Sequence, residues 1–460
     1  MMSNKITAEK SLTEGKVFVK IKSNESPLTM DLVGGFGEFN LNESIFEDTI
    51  RVNYIFVDSS EARTKDEEGR KISFKEGLPL NTTEDIEFKV KDDNGVVLNL
   101  NMQVDEPTTI SETSNTSTIL LKCVSEEFMR NECDSRVKEH YEGKICDNVE
   151  KILKENLKTK KRFFVEKSRE TLDFAGNELK AFYTLNWLSK HDSPDSTKPV
   201  GGFVCYETHT GYHYKSIEFL FKQEEKKKFV YTENPTFNKE AYDGKILDVS
   251  FSEGQTPAIN RLMSGAYNTK TIVFNPATKE YSETTLIHSP EDDATAANKL
   301  PIFNSKFENR TSLTTFVVSD VGTKTEGSTT NQIENSEKQN FVTQDILNQA
   351  KARYNQLQCQ IVTVTIAGDF TLSAGDTIKV DTPSFQLNDR PNTFSGGKYL
   401  IIDLCHHISA RGIFTKMNIA RDSLGRKVGE RRPLSYNGPF ASEEIEKEVN
   451  KQTGDNFTTP

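Results

Sequence analysis

The sequence predicts an α+β protein that is mostly β. It has two similar antiparallel β-barrel regions, an α-rich segment between them and a further inserted β-rich domain. Three observations predict this. Apolar and polar residues alternate in two regions of similar size, about 16–124 and 358–421. Between them, 177–190 places Leu179, Phe182, Leu185 and Leu188 at three-residue steps with Trp187 beside the stripe, the pattern of an amphipathic helix. Directly after it, 201–220 reads as a β-hairpin, two aromatic runs broken at His209-Thr210-Gly211.

In order, strands are expected around Val17–Val19–Ile21, around Met30 and Leu32, and through Ile50, Val52, Tyr54 and Phe56. Gly34, Gly35 and Gly37 mark a tight turn or bulge, because no strand-loop-helix context supports a phosphate loop. A strand at 86–90 turns at Asp93-Asn94-Gly95 into one at 96–104; 107–117 reads as a Ser/Thr loop, and 119–124 as the last strand of this region. Ser125-Glu126-Glu127 starts a helix with acids in its first turn, and 144–157 is a second helix with Ile145, Val149, Ile152 and Leu153 on one face. Residues 162–175 are short and mixed. Beyond 223 the chain is polar, with strands expected at 245–251, 271–274, 281–287 and 313–318, and 320–340 is the most loop-like piece. A helix at 343–357 leads to strands at 358–366, 377–380, 399–408 and 414–421, with a turn at Ala374-Gly375-Asp376. The expected domains are therefore 1–124, 125–200, 201–222 together with 346–425, and the insertion 223–345. Residues 426–460 form a tail in which 442–451 could make a short helix.

The 460 residues are more than one core accommodates. No run approaches the ~18 apolar residues that span a bilayer. The N-terminal residues lack a signal-type apolar stretch, so secretion by that route is not expected. Six cysteines (123, 133, 146, 205, 359 and 405) without a CxxC pair suit free thiols. Net charge is −11, which argues against a nucleic-acid binder. The short basic runs 158–162 and 226–228 adjoin acidic stretches and read as solvated surface.

Cys205, His209 and His213 suggest a metal site, but on a hairpin the three do not converge, and aromatic packing is the simpler reading. Cys405-His406-His407 lies on a strand, where adjacent side chains point to opposite faces. No Cys/His nucleophile signature, carboxylate pair, P-loop or dinucleotide fingerprint stands out. The sequence therefore assigns no catalytic, cofactor-binding or metal-binding residue. Two other classes remain open: a cell-wall hydrolase hidden within 225–345, and a glycan-binding adhesin.

Four stretches resemble a known family. They are Ser125-Glu126-Glu127-Phe128 with Tyr141-Glu142-Gly143-Lys144-Ile145; Asn186-Trp187-Leu188-Ser189 with the hairpin Tyr206 to Ile217; Leu372-Ser373-Ala374-Gly375-Asp376-Thr377-Ile378; and Gly397-Lys398-Tyr399-Leu400-Ile401 with Phe414 to Ser423. In their order and spacing they resemble the central baseplate hub of contractile-tailed, T-even-like phages, which is related to the spike protein of type VI secretion. The likeness spans about 120–425. It implies a non-enzymatic homotrimer in the virion, assembled in the host cytoplasm, in which each subunit gives two tube β-barrel domains to a ring. Six barrels would match the sixfold tail tube, while threefold symmetry meets the membrane-puncturing spike. Implied partners are the trimeric spike/lysozyme protein, tube or tube-initiator proteins, the tape-measure protein and the baseplate wedge. DNA would pass through the channel without specific binding and without any cofactor. The net charge of −11 leads to the expectation of an acidic or neutral lumen.

Overall fold

The computed structural model describes residues 16–25, 29–59, 64–65, 71–72, 74, 78, 80–91, 96–133, 135–196, 200–231, 244–250, 258–265, 268–276, 279–286, 311–318, 327–331, 334, 343–357, 360–382 and 396–423. The expected turn at 93–95, Cys359, most of 320–340 and the tail with its 442–451 helix lie outside these.

The chain is mostly β. Its first part supplies β1 (Lys16–Lys22), β2 (Thr29–Asp31), β3 (Phe36–Ser44), β4 (Arg51–Ser59), the short pair β5 (Thr64–Lys65) and β6 (Lys71–Ile72), β7 (Asp85–Lys91), β8 (Val97–Glu112) and β9 (Thr116–Ser125). Two-residue strands β10 (Arg136–Val137) and β11 (His140–Tyr141) follow a helix at Glu126–Cys133. After a second helix come β12 (Phe163–Val165), β13 (Phe174–Ala175) and β14 (Leu179–Lys180). The hairpin is β15 (Phe203–Thr208) and β16 (Gly211–Ser216). Then follow β17 (Lys227–Val230), β18 (Ile246–Ser250), β19 (Thr269–Asn275), β20 (Glu280–Leu286), β21 (Leu313–Val318), β22 (Gln360–Ala367), β23 (Thr377–Asp381), β24 (Gly397–Ser409) and β25 (Gly412–Arg421).

The two β-rich regions do not form separate sheets. Their strands join in one 13-stranded sheet ordered β18-β22-β25-β24-β3-β4-β9-β8-β7-β1-β2, with β23 on β24 and β17 on β23. Every pairing is antiparallel except β17 with β23. The join is made by the 13-residue β24. Its first residues pair with β23 and its last seven with β3 along the same edge. A register shift between Ile401 and Asp403 marks the change of partner, which is what one extra residue in a strand produces. No sheet among the described residues closes into a barrel by a continuous ladder; β17 and the start of β18 meet at the single bridge Val230↔Lys245.

Alternation places a core behind each half. Val17, Val19, Phe39, Leu41, Val52, Tyr54, Phe88 and Leu121 pack in the first, joined by Ile408 and Ile413 from the far half. Phe229, Val362, Val364, Tyr399, Leu404, Met417 and Ile419 pack in the second. At ~25 cal/mol per Å2 of apolar surface buried, such cores dominate folding. The helical segment has its own core, including Val149, Ile152, Phe182, Leu185 and Leu188.

Four local expectations need correction. Most of the Ser/Thr stretch 107–117 is not a loop but the extended arm of β8 and β9, paired from Glu106↔Lys122 to Glu112↔Ser117 with a register shift between Thr109 and Ser111, and 113–115 makes the turn; Thr and Ile are good strand formers. The helix expected from 177 begins at Ala181, because Asn177 and Glu178 adopt φ of 49° and 56°, outside the helical region. Leu179, expected on the apolar stripe, is accordingly 41% exposed in β14. Within the helix expected at 144–157, the α-helix ends at Lys151 and one π-helical turn, Ile152–Asn156, follows.

Candidate functional site

The hairpin β15–β16 packs against both the helical segment and the large sheet. It stays outside the large sheet and pairs instead with β12, which lies parallel to β16 with Phe164 opposite His213. All six residues of β15 are buried. Phe203, Cys205, Tyr212 and Tyr214 enter the helical core. Val204 and Tyr206, from the opposite face, enter a fourth cluster with Ile45, Leu220, Leu357, Leu400 and Ile402. The turn needs Gly211: its φ is +142°, and a Cβ there would lie 2.4 Å from the Arg162 carbonyl oxygen. Gly375 approaches from the second half with φ +87°, and a Cβ there would lie 2.0 Å from the Tyr206 hydroxyl.

Two carboxylates with no exposed side-chain surface anchor the hairpin's tip. Glu43 on β3 accepts from the backbone N–H of His209 at 2.7 Å, from His209 Nδ1 at 2.8 Å and from the Ala374 N–H at 3.0 Å. Burial alone would raise this carboxyl, but the hydrogen bond and charge of His209 outweigh it and hold it below the usual range. Glu207 on β15 accepts from Ser125 Oγ at 2.6 Å, the Ile50 N–H at 3.2 Å and the Tyr212 hydroxyl at 3.3 Å, and pairs with Lys161. Lys161 also meets Glu127 at 2.7 Å. Burial pushes Glu207 up despite Lys161, whereas the two carboxylates overcome burial and keep Lys161 protonated.

The base of the hairpin is tied to the helical segment. Asp192 accepts from the Tyr214 hydroxyl and the Ser193 N–H, both at 2.8 Å, and from Ser168 Oγ. Burial pushes its carboxyl up to about 7. Glu166 accepts from Ser216 N at 2.7 Å and Ser216 Oγ at 3.1 Å.

The two Cys/His sets are not preserved as sets. His213 lies between the rings of Phe164 and Tyr206, with centroids at 4.7 and 5.1 Å. Cys205 is buried in the helical core. His407 turns to Asn40 at 2.7 Å, on the face opposite His406. His406 is fully buried between the Thr415 hydroxyl at 3.0 Å and the Leu372 carbonyl at 3.3 Å. The structure instead brings one histidine of each set together: the rings of His209 and His406 lie 6.4 Å apart beside Glu43. Glu43 had a sequence signal, since it continues the inward series Phe39, Leu41 on β3. A charge at an inward position requires a partner. Among the described residues no three His, Cys, Asp or Glu side chains could hold a metal ion.

The basic runs are not simply solvated surface. Lys161 is built into the Glu127–Glu207 cluster. Lys226 pairs with Asp376 at 2.7 Å, Lys227 with Asp369 and Lys228 with Asp381 at 2.5 Å, fastening β17 to the second half. Of the glycine cluster, Gly34 and Gly35 form a single 3-10 turn and Gly37 sits at a register shift in β3.

The other face of the large sheet is polar where the halves join. Ser44 Oγ donates to Asp403 at 2.6 Å, Asn418 Nδ2 to Asp403 at 3.0 Å, and Thr363 Oγ1 to Asn418 at 2.8 Å. This chain crosses β3, β24, β25 and β22. It floors an open groove of about 600 Å3 that Asn42, Asn53, Arg51, Lys122 and Lys416 also line. Arg51 pairs with Glu47 and Lys122 with Glu106, which offsets their charge.

No family model and no curated protein matches the sequence. Solved structures do match. The 43 kDa tail protein of prophage MuSo2 from Shewanella oneidensis aligns with 89% of this chain and 98% of its own, at 9% identity and a TM-score of 0.48. A tail protein of Neisseria meningitidis aligns over 88% and 97%, at 8% identity and 0.48. An Escherichia coli type VI secretion component, described as structurally similar to phage T4 tail proteins gp27 and gp5, aligns over 91% and 81%, at 12% identity and 0.36. The chain is thus similar in structure to phage tail proteins and to a type VI secretion component.

Proposed function

We propose that this chain is a structural protein of a contractile phage tail baseplate, a trimeric hub without catalytic activity. In this reading each subunit contributes two β units to a ring, so that three subunits present six units to a sixfold tube and threefold symmetry to a spike. The observation that carries it is the pair of β cores on one continuous sheet, joined edge to edge by β3 and β24. The ordered sequence motifs shared with the hub family support it independently.

The polar face from Ser44 through Asp403 and Asn418 to Thr363 would line the channel. Its amides and hydroxyls are uncharged, the Asp403 carboxylate repels phosphate, and Glu47 and Glu106 offset Arg51 and Lys122, so that Lys416 is left as the main attraction for phosphate. DNA would pass it without specific contacts. The domain limits, the trimeric spike, tube, tape-measure and wedge as partners, assembly in the host cytoplasm and a place in the virion all belong to the same proposal.

Light scattering on the purified chain, alone and co-expressed with a candidate spike, tests it. A mass near three times 52.0 kDa is expected for the chain alone, or three such chains in addition to the mass of the spike in the co-expressed complex. A monomer in both would overturn the hub. Clearing of a cell-wall suspension by the purified chain would instead favour a hydrolase.

A further inference from the structure

A cleft of about 280 Å3 lies at the hairpin's tip, between its turn, β8 and the segment that runs into β12. We propose that this cleft is an oxyanion site, which takes one carboxylate or phosphate group between Lys160, Arg162 and the carboxamides of Asn99 and Asn101.

Lys160, Lys161 and Arg162 all line the cleft, but their charges are not equally available. Lys161 turns inward and is held between Glu127 and Glu207. Lys160 and Arg162 are exposed on either side of it, the alternation that an extended backbone imposes. Neither has an acidic partner among the described residues. Glu207 is the one carboxylate among the described residues of the lining; its side chain has no exposed surface, and Lys161 offsets its charge. The mouth of the cleft therefore carries two uncompensated positive charges on a chain whose net charge is −11. Such a spot draws anions toward it.

Neutral donors line the same cleft. Asn99 and Asn101 occupy successive outward positions on β8. Neither carboxamide has a hydrogen-bond partner among the described residues. Their neighbours across the ladder, Lys89 and Glu87, pair with each other at 2.7 Å and leave the amides free.

The walls are fixed before any ligand arrives. The Arg162 carbonyl accepts the Tyr212 N–H at 2.9 Å. Glu43 holds the turn through the His209 N–H at 2.7 Å, and Asn99 and Asn101 stand in the β7–β8 ladder. Donors placed in advance lose little freedom on binding. Arg162 supplies a planar fork that matches two oxygens, and Lys160 a point charge. A cleft of about 280 Å3 is at the small end of ligand pockets, so it suits a single anionic group. The site stands apart from the polar face at the β3–β24 join and does not depend on the hub reading.

Isothermal titration of the full chain at constant sodium chloride, with inorganic phosphate in one arm and tetraglutamate in the other, tests this. Saturable binding with one site per chain is expected. The tighter arm names the source: phosphate for a free anion, tetraglutamate for an acidic segment of another protein. Arg162→Ser and Lys160→Ser should each weaken binding at least about 10-fold. Asn101→Ala, which removes no charge, should weaken it as well. Lys167→Ser removes an exposed charge outside the cleft and should leave binding unchanged. Each of these positions is exposed, so the variants keep the fold. No saturable binding in either arm, an equal loss in Lys167→Ser, or unchanged binding in Asn101→Ala would each overturn the site.

Discussion

Glu43 on β3 and His209 in the hairpin turn, 166 residues apart, meet twice: one carboxylate oxygen accepts both the backbone N–H at 2.7 Å and Nδ1 at 2.8 Å. The other oxygen takes the Ala374 N–H at 3.0 Å from the turn before β23. One side chain thus fixes the positions of three separate elements. Glu43→Ala leaves these donors without an acceptor and should cost about 3–5 kcal/mol in denaturant unfolding. Glu47→Ala, which removes only an exposed ion pair with Arg51, should cost less than about 1 kcal/mol. Equal costs would refute the central role of Glu43.

Lys161 and Lys160 are neighbours in one basic run, yet only Lys161 sits between Glu127 and Glu207; Lys160 is exposed. Lys161→Met should leave two buried carboxylates facing each other and cost about 3–5 kcal/mol. Lys160→Met should stay within about 0.5 kcal/mol. Thermal or denaturant unfolding of the two variants side by side gives the comparison.

Gly375 and Tyr206 form a tight contact between the second half and the hairpin. Gly375→Ala should destabilise by about 2 kcal/mol or more, part from φ +87° and part from the Tyr206 hydroxyl. Tyr206→Phe removes the nearest atom, so the double variant should recover part of the loss. A double-mutant cycle with no coupling would show that only the backbone angle matters.

The pH dependence of stability carries two opposed contributions. His406 and His213 have folded values lowered to about 4 from about 6.5, so their stabilisation is complete above about 6.5 and is lost as pH falls toward 4. Each shift corresponds to about 3 kcal/mol. Asp192 has a folded value raised to about 7, so its contribution is complete below about 4 and is lost as pH rises through 7. Asp192→Asn should therefore gain relative to wild type between pH 4 and 8, by up to about 4 kcal/mol. Urea unfolding across that range measures it; a constant difference would contradict the assignment.

Much of the architecture was legible in the chain. The inward series Val17, Val19, Ile21 and Val362, Val364, Ile366, the stripe Phe182, Leu185, Leu188 and the aromatic hairpin all read correctly, because each is a local period set by backbone geometry. The β8–β9 arm was misread, because Thr and Ser serve turns and strands alike and only pairing across the ladder decides. The buried ionic junction was mostly hidden. Glu43 betrayed itself by its inward place on β3, but nothing local distinguishes Lys161 from Lys160, or joins His209 to His406.

By itself, then, the sequence determined many of the strands and helices, where the hairpin turns, and that two β-rich regions flank a helical one. Only the tertiary structure decided that these regions share one sheet through β24, that the hairpin pairs with β12, and which charges are buried together. Periodicity is a property of neighbours along the chain. Edge pairing and ion pairing depend on which surfaces meet after collapse, between residues such as Ser44 and Asp403 that stand 359 positions apart.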